Sequence, residues 1–186
     1  MINDIIVVDN VFDDPEVVLG YANAEEYFTL QESGLTDTFY TGIRTSELIS
    51  KDNDKYGGLL TTMIGKSLRK SFGTDGSIAY NWFGRMFFHQ TFEKNSRDIR
   101  SFHTDPRHCL AGVVYLSKNP LENSGTTIIK NNGSIEIENV FNRLVLYRSD
   151  YKHAAQSGFG KDITDCRLNL TFFISDLELK IYTPEQ

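Results

Sequence analysis

Ser101-Phe102-His103-Thr104-Asp105-Pro106-Arg107-His108-Cys109-Leu110-Ala111-Gly112-Val113-Val114-Tyr115-Leu116-Ser117 carries two signals in one stretch. Its second part, Cys109 to Ser117, is a nearly unbroken apolar run and reads as a strand. Its first part sets a histidine and an aspartate two positions apart, just ahead of a proline. In extended backbone the side chains alternate between faces, so His103 and Asp105 are predicted to project from one face of a strand and aim at one point. Pro106 cannot donate to a ladder and ends the pairing there.

Downstream, Asn119-Pro120 and Asn123-Ser124-Gly125 are turn chemistry. Thr126 to Ile129, Ser134 to Glu138 and Arg143 to Tyr147 are predicted strands, with Asn131-Asn132-Gly133 a hairpin-type turn between the first two. His153 follows the last of them. Gly158-Phe159-Gly160 then forms a loop, Arg167 to Ile174 is the last strong strand, and Leu177 to Tyr182 adds an edge strand. Upstream, Ile78 to Phe92 is aromatic-rich and lacks helical periodicity, with Arg85 to Phe92 its clearest strand. Glu93 to Arg100 is a charged connection, read either as a lid over a site or as an idle loop.

Ahead of Gly76 the periodicity is helical. Asp13-Asp14-Pro15-Glu16 reads as a helix start, with an acidic cap and proline in the first turn. Val17, Val18, Tyr21, Ala22 and Ala24 continue it towards Tyr27. A second helix is predicted from about Tyr56 to Phe72, with Leu59, Leu60, Met63, Ile64 and Leu68 at helical spacing, and Gly73-Thr74-Asp75-Gly76 ends it. Ile5 to Val8 is a short β-branched strand, and Phe39 to Thr45 a loop or short strand. Two helices ahead of many short antiparallel strands make an α+β chain, mainly β. Its expected architecture is a double-stranded β-helix, or jelly roll, with the N-terminal helices packed on one sheet. One domain over 1–186 is expected, with 1–76 as helical support and 77–186 as the core.

With 186 residues, 40% of them hydrophobic and 24% charged, the chain is globular and long enough to bury a core. A net charge of −6 disfavours binding that depends on nucleic-acid phosphates. Cys109 and Cys166 are too few for a disulfide framework and read as buried thiols, a single bridge between them being the alternative. The N-terminus lacks a basic leader and its apolar run is short, so no membrane association and a cytoplasmic location are expected. Nothing in the sequence speaks to oligomeric state.

His153 lies 50 positions beyond His103, after the apolar strand Leu144-Val145-Leu146-Tyr147, and Arg167 lies 14 positions further, opening the last strong strand. Two imidazoles and one carboxylate on one face of a metal make the triad of non-haem Fe(II) oxygenases, and they leave coordination positions open. A lone His-X-Asp arises often by chance. Four features in this order, each at a strand end, arise far less often. His89, inside Met86-Phe87-Phe88-His89-Gln90, reads as a structural histidine. His108 beside Cys109 lacks the spacing of a closed zinc site. Trp82 and the phenylalanines read as core. Arg44, Arg85, Arg100 and Arg107 either line the mouth of a site and select an acidic or polar substrate, or are solvated surface residues.

These residues in this order resemble the Fe(II)/2-oxoglutarate-dependent dioxygenase superfamily, close to its prolyl-hydroxylase-like branch. Asp9-Asn10-Val11-Phe12, Asp14-Pro15 and Gly42-Ile43-Arg44-Thr45 are similar to the openings of its small members. Gly125-Thr126-Thr127 is similar to the family's glycine-led strand, and Arg167-Leu168-Asn169-Leu170-Thr171-Phe172 to the co-substrate strand of its nucleic-acid demethylase branch. That branch carries a further arginine where this chain has Phe173, a departure that disfavours base repair. The resemblance implies Fe(2+) held by His103, Asp105 and His153, 2-oxoglutarate chelating the iron, and O2 as the oxidant. The far carboxylate of 2-oxoglutarate needs a fixed cation, and a planar arginine fork suits it, which selects Arg167. Asn169 adds a hydrogen bond, and Tyr115 or Tyr147 a phenol hydroxyl. The implied reaction is hydroxylation of a C–H bond in a peptidyl, amino-acid or small-molecule substrate, with release of succinate and CO2. Two alternatives stay open. One is a jelly-roll binding protein without turnover; the other is a cupin-like metalloenzyme that does not use 2-oxoglutarate.

Overall fold

Period-two alternation sends the strand side chains to two different places, and that division organises the molecule. The computed structural model describes residues 5–34, 40–73, 77–95, 102–131 and 133–182. Its strands are β1 (Ile6–Val8), β2 (Tyr27–Phe28), β3 (Ile43–Thr45), β4 (Ser77–Thr91), β5 (Leu110–Tyr115), β6 (Thr126–Lys130), β7 (Gly133–Ile137), β8 (Leu144–Arg148), β9 (Lys152–Ala155) and β10 (Arg167–Tyr182). Seven of them form a larger sheet in the order β1-β8-β5-β10-β4-β3-β2, and three form a smaller one, β7-β6-β9. The pairings are antiparallel in both sheets.

One face of the larger sheet packs on helices. Leu168, Leu170, Phe172 and Ile174 of β10, Met86 and Phe88 of β4, and Leu144 and Leu146 of β8 share a core with α1 (Pro15–Asn23) and α4 (Gly58–Phe72) through Val18, Ala22, Leu60, Met63, Ile64 and Leu68. The other face looks towards the smaller sheet. There Val113 and Tyr115 of β5 and Val145 and Tyr147 of β8 meet Ile128 and Ile137. β5 is apolar throughout because both of its faces are buried. The chain is thus mostly β, with antiparallel sheets and helices on one of them, consistent with a jelly roll. No described helix is long and apolar enough to cross a membrane.

Local chemistry sets the helix ends. Asp14 accepts from the Glu16 amide and Pro15 opens α1, which stops at Asn23, short of Tyr27. Tyr27 and Phe28 pair instead with Thr45 and Arg44 as a short edge. The second helix begins at Gly58, after a π-type turn over Asn53–Gly57 that Asp52 caps. Two further short helices, α2 (Leu30–Ser33) and α3 (Leu48–Lys51), flank β3.

Several expectations are corrected. His103 to Asp105 is not a strand; His103 makes only an isolated bridge to His153. The backbone turns straight after Asp105, whose carbonyl accepts from the His108 amide. Leu177 to Tyr182 is not a separate edge strand but the continuation of β10, paired with β4 as far as Ser77. The polar Ser175-Asp176 pair marks a register shift between Ile174 and Asp176, which the ladder absorbs as a bulge. Lys152 to Ala155 forms β9, paired with β6. Cys109 is exposed, Cys166 is buried, and both are free thiols, so the alternative of a bridge falls. Residues 74–76, 96–101 and 132 lie outside the described residues, and with them most of the charged connection, Arg100 and Ser101.

Candidate metal centre

His103, Asp105 and His153 come together although no strand holds the first two. Their backbone is tied down by reciprocal hydrogen bonds between His103 and His153, at 3.1 and 2.9 Å, and by the Asp105 amide donating to the Ser149 carbonyl at 2.8 Å. One ligand atom from each of the three side chains lies within 4.8 Å of the other two. His153 Nε2 is 3.2 Å from Asp105 Oδ2, and His103 Nε2 is 4.0 Å from Asp105 Oδ1. His153 is buried under the Tyr147 ring at a centroid distance of 4.8 Å, whereas the His103 side chain is 56% exposed, so the cluster opens on its side.

The donor set fits a cation. His153 Nδ1 lies 2.9 Å from the Tyr151 carbonyl, which only accepts, so Nδ1 is the donor. Nε2 is then the nitrogen turned to the Asp105 carboxylate. Asp105 Oδ2 is buried and has no hydrogen-bond partner among the described residues. Nε2 and Oδ2 lie 3.2 Å apart without a hydrogen bond between them, a spacing at which one cation can meet both. A backbone carbonyl holding the far nitrogen is also the usual way a ligating imidazole is fixed in tautomer and direction.

Arg167 opens β10 on the face turned to the smaller sheet and is 2% exposed. Its Nε donates to the Ser124 carbonyl, and its Nη2 donates to the Gly125 carbonyl at 2.9 Å. With the Asn169 amide oriented by its hydrogen bonds, the amide oxygen accepts from Arg167 Nη1 at 2.6 Å. Asn169 therefore orients the guanidinium. Three of five guanidinium N–H groups are used, leaving one on each Nη. No carboxylate among the described residues pairs with this buried cation. Burial lowers its pKa from the usual guanidinium value. Gly125 is needed here because a Cβ would run into the Ile137 carbonyl.

Alternation alone did not separate Tyr115 from Tyr147. Both point between the sheets. Tyr115 donates its hydroxyl to Thr126 Oγ1 at 2.7 Å and so ties the two sheets together. The Tyr147 hydroxyl has no hydrogen-bond partner among the described residues. Burial, followed by the Asp105 charge, raises its pKa well above the ordinary phenol value, with Arg167 acting the other way. It is a phenol that stays protonated, within the electrostatic reach of both Asp105 and Arg167.

The same sheet face carries two residues whose surroundings sequence reasoning did not specify. His89 lies opposite both Arg44 and Asn169 in the ladders, with Nε2 2.5 Å from the Thr41 carbonyl. Burial lowers its pKa to about 4, so it is a neutral imidazole outside the triad. Arg44, expected at the surface or at the mouth of a site, is only 8% exposed. The motif-like Gly42-Ile43-Arg44-Thr45 was the one hint of it. Arg85 and Arg107 are exposed, and His108 is held by Ser175 Oγ at 2.8 Å, apart from the triad.

No family model matches this chain, and no curated protein does. Solved structures do. An oxidoreductase of the 2OG-Fe(II) oxygenase family from Burkholderia pseudomallei is 11% identical, with 92% of this chain and 84% of that one covered and a TM-score of 0.60. A prolyl 4-hydroxylase from Phytophthora capsici is 13% identical, with 91% and 58% covered and a TM-score of 0.59. SnoN, a non-haem α-ketoglutarate-dependent epimerase from nogalamycin biosynthesis, is 14% identical, with 94% and 79% covered and a TM-score of 0.59. At these identities the likeness is one of architecture, and the chain shares its fold with 2-oxoglutarate–Fe(II) oxygenases.

Proposed function

We propose that this chain is an Fe(II)- and 2-oxoglutarate-dependent oxygenase on a double-stranded β-helix, built as a single domain and acting in the cytoplasm. The observation that carries the reading is the juxtaposition of two unsatisfied charges. A buried carboxylate oxygen without a hydrogen-bond partner lies 3.2 Å from an imidazole nitrogen, and a buried guanidinium has no carboxylate partner among the described residues. The first calls for a cation, the second for an anion. Iron with 2-oxoglutarate answers both, and the likeness in fold supports the same pairing. The cupin-like alternative leaves Arg167 uncompensated, and the binding-protein alternative leaves both charges unexplained.

His103, Asp105 and His153 would hold Fe(II) and leave one side of it open. Bound iron supplies the redox chemistry, the reduction of O2 coupled to conversion of 2-oxoglutarate to succinate and CO2 and to oxidation of a C–H bond. The remaining work belongs to the protein. Tyr151, through its carbonyl, keeps His153 Nδ1 protonated and Nε2 directed at the metal position. Arg167 offers its two remaining N–H groups to the far carboxylate, with Asn169, Ser124 and Gly125 fixing the plane of the fork. Tyr147 donates its free hydroxyl to the same carboxylate. Val113, Val145 and Ile128 keep the space between the sheets dry, which strengthens each of these contacts. The substrate is peptidyl, an amino acid or another small molecule, and the reaction is hydroxylation.

Anaerobic addition of Fe(II) and 2-oxoglutarate is expected to produce the weak visible metal-to-ligand charge-transfer band. A protein that binds both but shows no band, or that forms no succinate in air with any substrate class, sinks the reading. SnoN being an epimerase, incorporation of oxygen into product is the measurement that distinguishes hydroxylation from other outcomes on this fold.

A further inference from the structure

We propose a second anion site on the open half of the larger sheet, where Arg44, seconded by Arg85, takes the carboxylate of a small-molecule substrate. As a substrate site it rests on the oxygenase reading above; as an anion site it rests on the surroundings of Arg44. The Arg44 Cζ lies 4.2 Å from the centroid of the Tyr40 ring and 4.2 Å from that of Phe87. Among the described residues its buried Nε has no hydrogen-bond partner, and no carboxylate pairs with it. Aromatic faces hold the cation in place, but they do not neutralise it or satisfy its N–H groups. Burial is the main cause that lowers the Arg44 pKa; Tyr40 opposes it and Arg85 adds to it.

Arg44 lines a cleft of about 340 Å³ together with Arg85, Tyr40, Phe87, Glu32 and Glu47. That volume is at the small-molecule end of ligand sites. The two acids on its wall are already occupied. Glu47 accepts from the Ile49, Ser50 and Met86 amides, and Glu32 accepts from the amide and hydroxyl of Thr29. Neither reaches Arg44, and one oxygen of Glu32 is left to meet an ammonium group if the ligand carries one.

The position suits a substrate. Arg44, His89 and Asn169 stand opposite one another on three adjacent strands, so Arg44 and the Arg167 strand are about 10 Å apart across the sheet. Phe87 leads from Arg44 towards the triad side, its ring 6.4 Å from that of Phe173, which in turn lies 5.0 Å from the His108 ring. A molecule anchored by its carboxylate at Arg44 extends along this aromatic path.

Arginine Nε–Hε cross-peaks of the ¹⁵N-labelled protein test this directly, with Zn(II) as a diamagnetic stand-in for iron and saturating 2-oxoglutarate to fill the Arg167 pocket. Acetate and glycine are expected to move the Arg44 peak saturably, while acetamide and matched sodium chloride leave it in place. Arg44→Lys assigns the peak by removing it. Arg85→Gln, which alters only an exposed side chain, is expected to weaken the acetate response threefold or more. An Arg44 peak that responds to acetate and glycine no more than to chloride overturns the proposal. An Arg167 peak that ignores 2-oxoglutarate while Arg44 answers acetate sinks the oxygenase reading and leaves the anion site standing.

Discussion

Two buried guanidinium groups sit on one face of one sheet, and they are held in different ways. Arg167, under the smaller sheet, is fixed by two backbone carbonyls and an amide, so its plane and its two spare N–H groups are set in advance. Arg44, on the half that the smaller sheet does not cover, is held by two rings that restrict its position but not its rotation. The first arrangement suits a ligand that is always the same, the second a ligand whose shape is read elsewhere. Closed geometry on one side and adaptable geometry on the other is what a co-substrate and a substrate require.

The largest test of this contrast removes the charge that the closed half is built around. Asp105→Asn is expected to cost more than about 100-fold in Fe(II) affinity, beyond the range for groups that only orient a ligand. Titrating the metal-free protein with Fe(II) under nitrogen reads the loss directly. An affinity within about tenfold of the parent's contradicts a metal held by this carboxylate. Next, Arg167→Gln is expected to weaken 2-oxoglutarate about 100-fold, the worth of two charge-assisted hydrogen bonds, as read by titrating the charge-transfer band. Arg44→Gln is expected to leave that titration within about twofold. Equal losses in the two variants erase the distinction.

Between the two arginines, His89 makes the sheet acid-sensitive. Its pKa of about 4 lies below the ordinary histidine value of 6.5, so the unfolded chain binds a proton that the folded chain refuses. Stability from this group is complete above about 6.5 and is lost as the pH falls towards 4, by at most about 3 kcal/mol. Urea midpoints measured across that window are expected to fall for the parent and to flatten for His89→Gln. The smallest effects separate the tyrosines. Tyr147→Phe is expected to weaken 2-oxoglutarate about fivefold with little change in melting, since its hydroxyl has no partner among the described residues. Tyr115→Phe is expected to do the reverse, lowering stability by about 1 kcal/mol by orphaning the Thr126 hydroxyl.

The meeting of His103, Asp105 and His153 was legible because it depends on residue type and order, which the sequence displays. The means was not, since His103 and Asp105 converge through a bridge and a turn, and no periodicity encodes those. β9 escaped notice because Lys-His-Ala-Ala has neither β-branched residues nor a turn signal of its own, and only pairing with β6 makes it a strand. The break drawn at Ser175-Asp176 was a bulge, because a polar pair reads as punctuation whether or not the ladder continues through it. Arg44 was hardest to read. An arginine next to ordinary strand residues gives no sign that two rings 40 or more positions apart in sequence, Tyr40 and Phe87, will close on it.

β10 carries Arg167 at one end and pairs with β4 far beyond the point where β5 leaves it. Between Asn169 and Ile174 it has a ladder on each side, so adding one residue there misaligns two neighbours and turns Arg167 over to the helical layer. Next to Ser175 the ladder already carries a spare residue, and β5 has ended. A change of chain length at that point therefore disturbs one neighbour where a few residues earlier it disturbs two, and what it puts at stake is the Ser175 hydroxyl that holds His108.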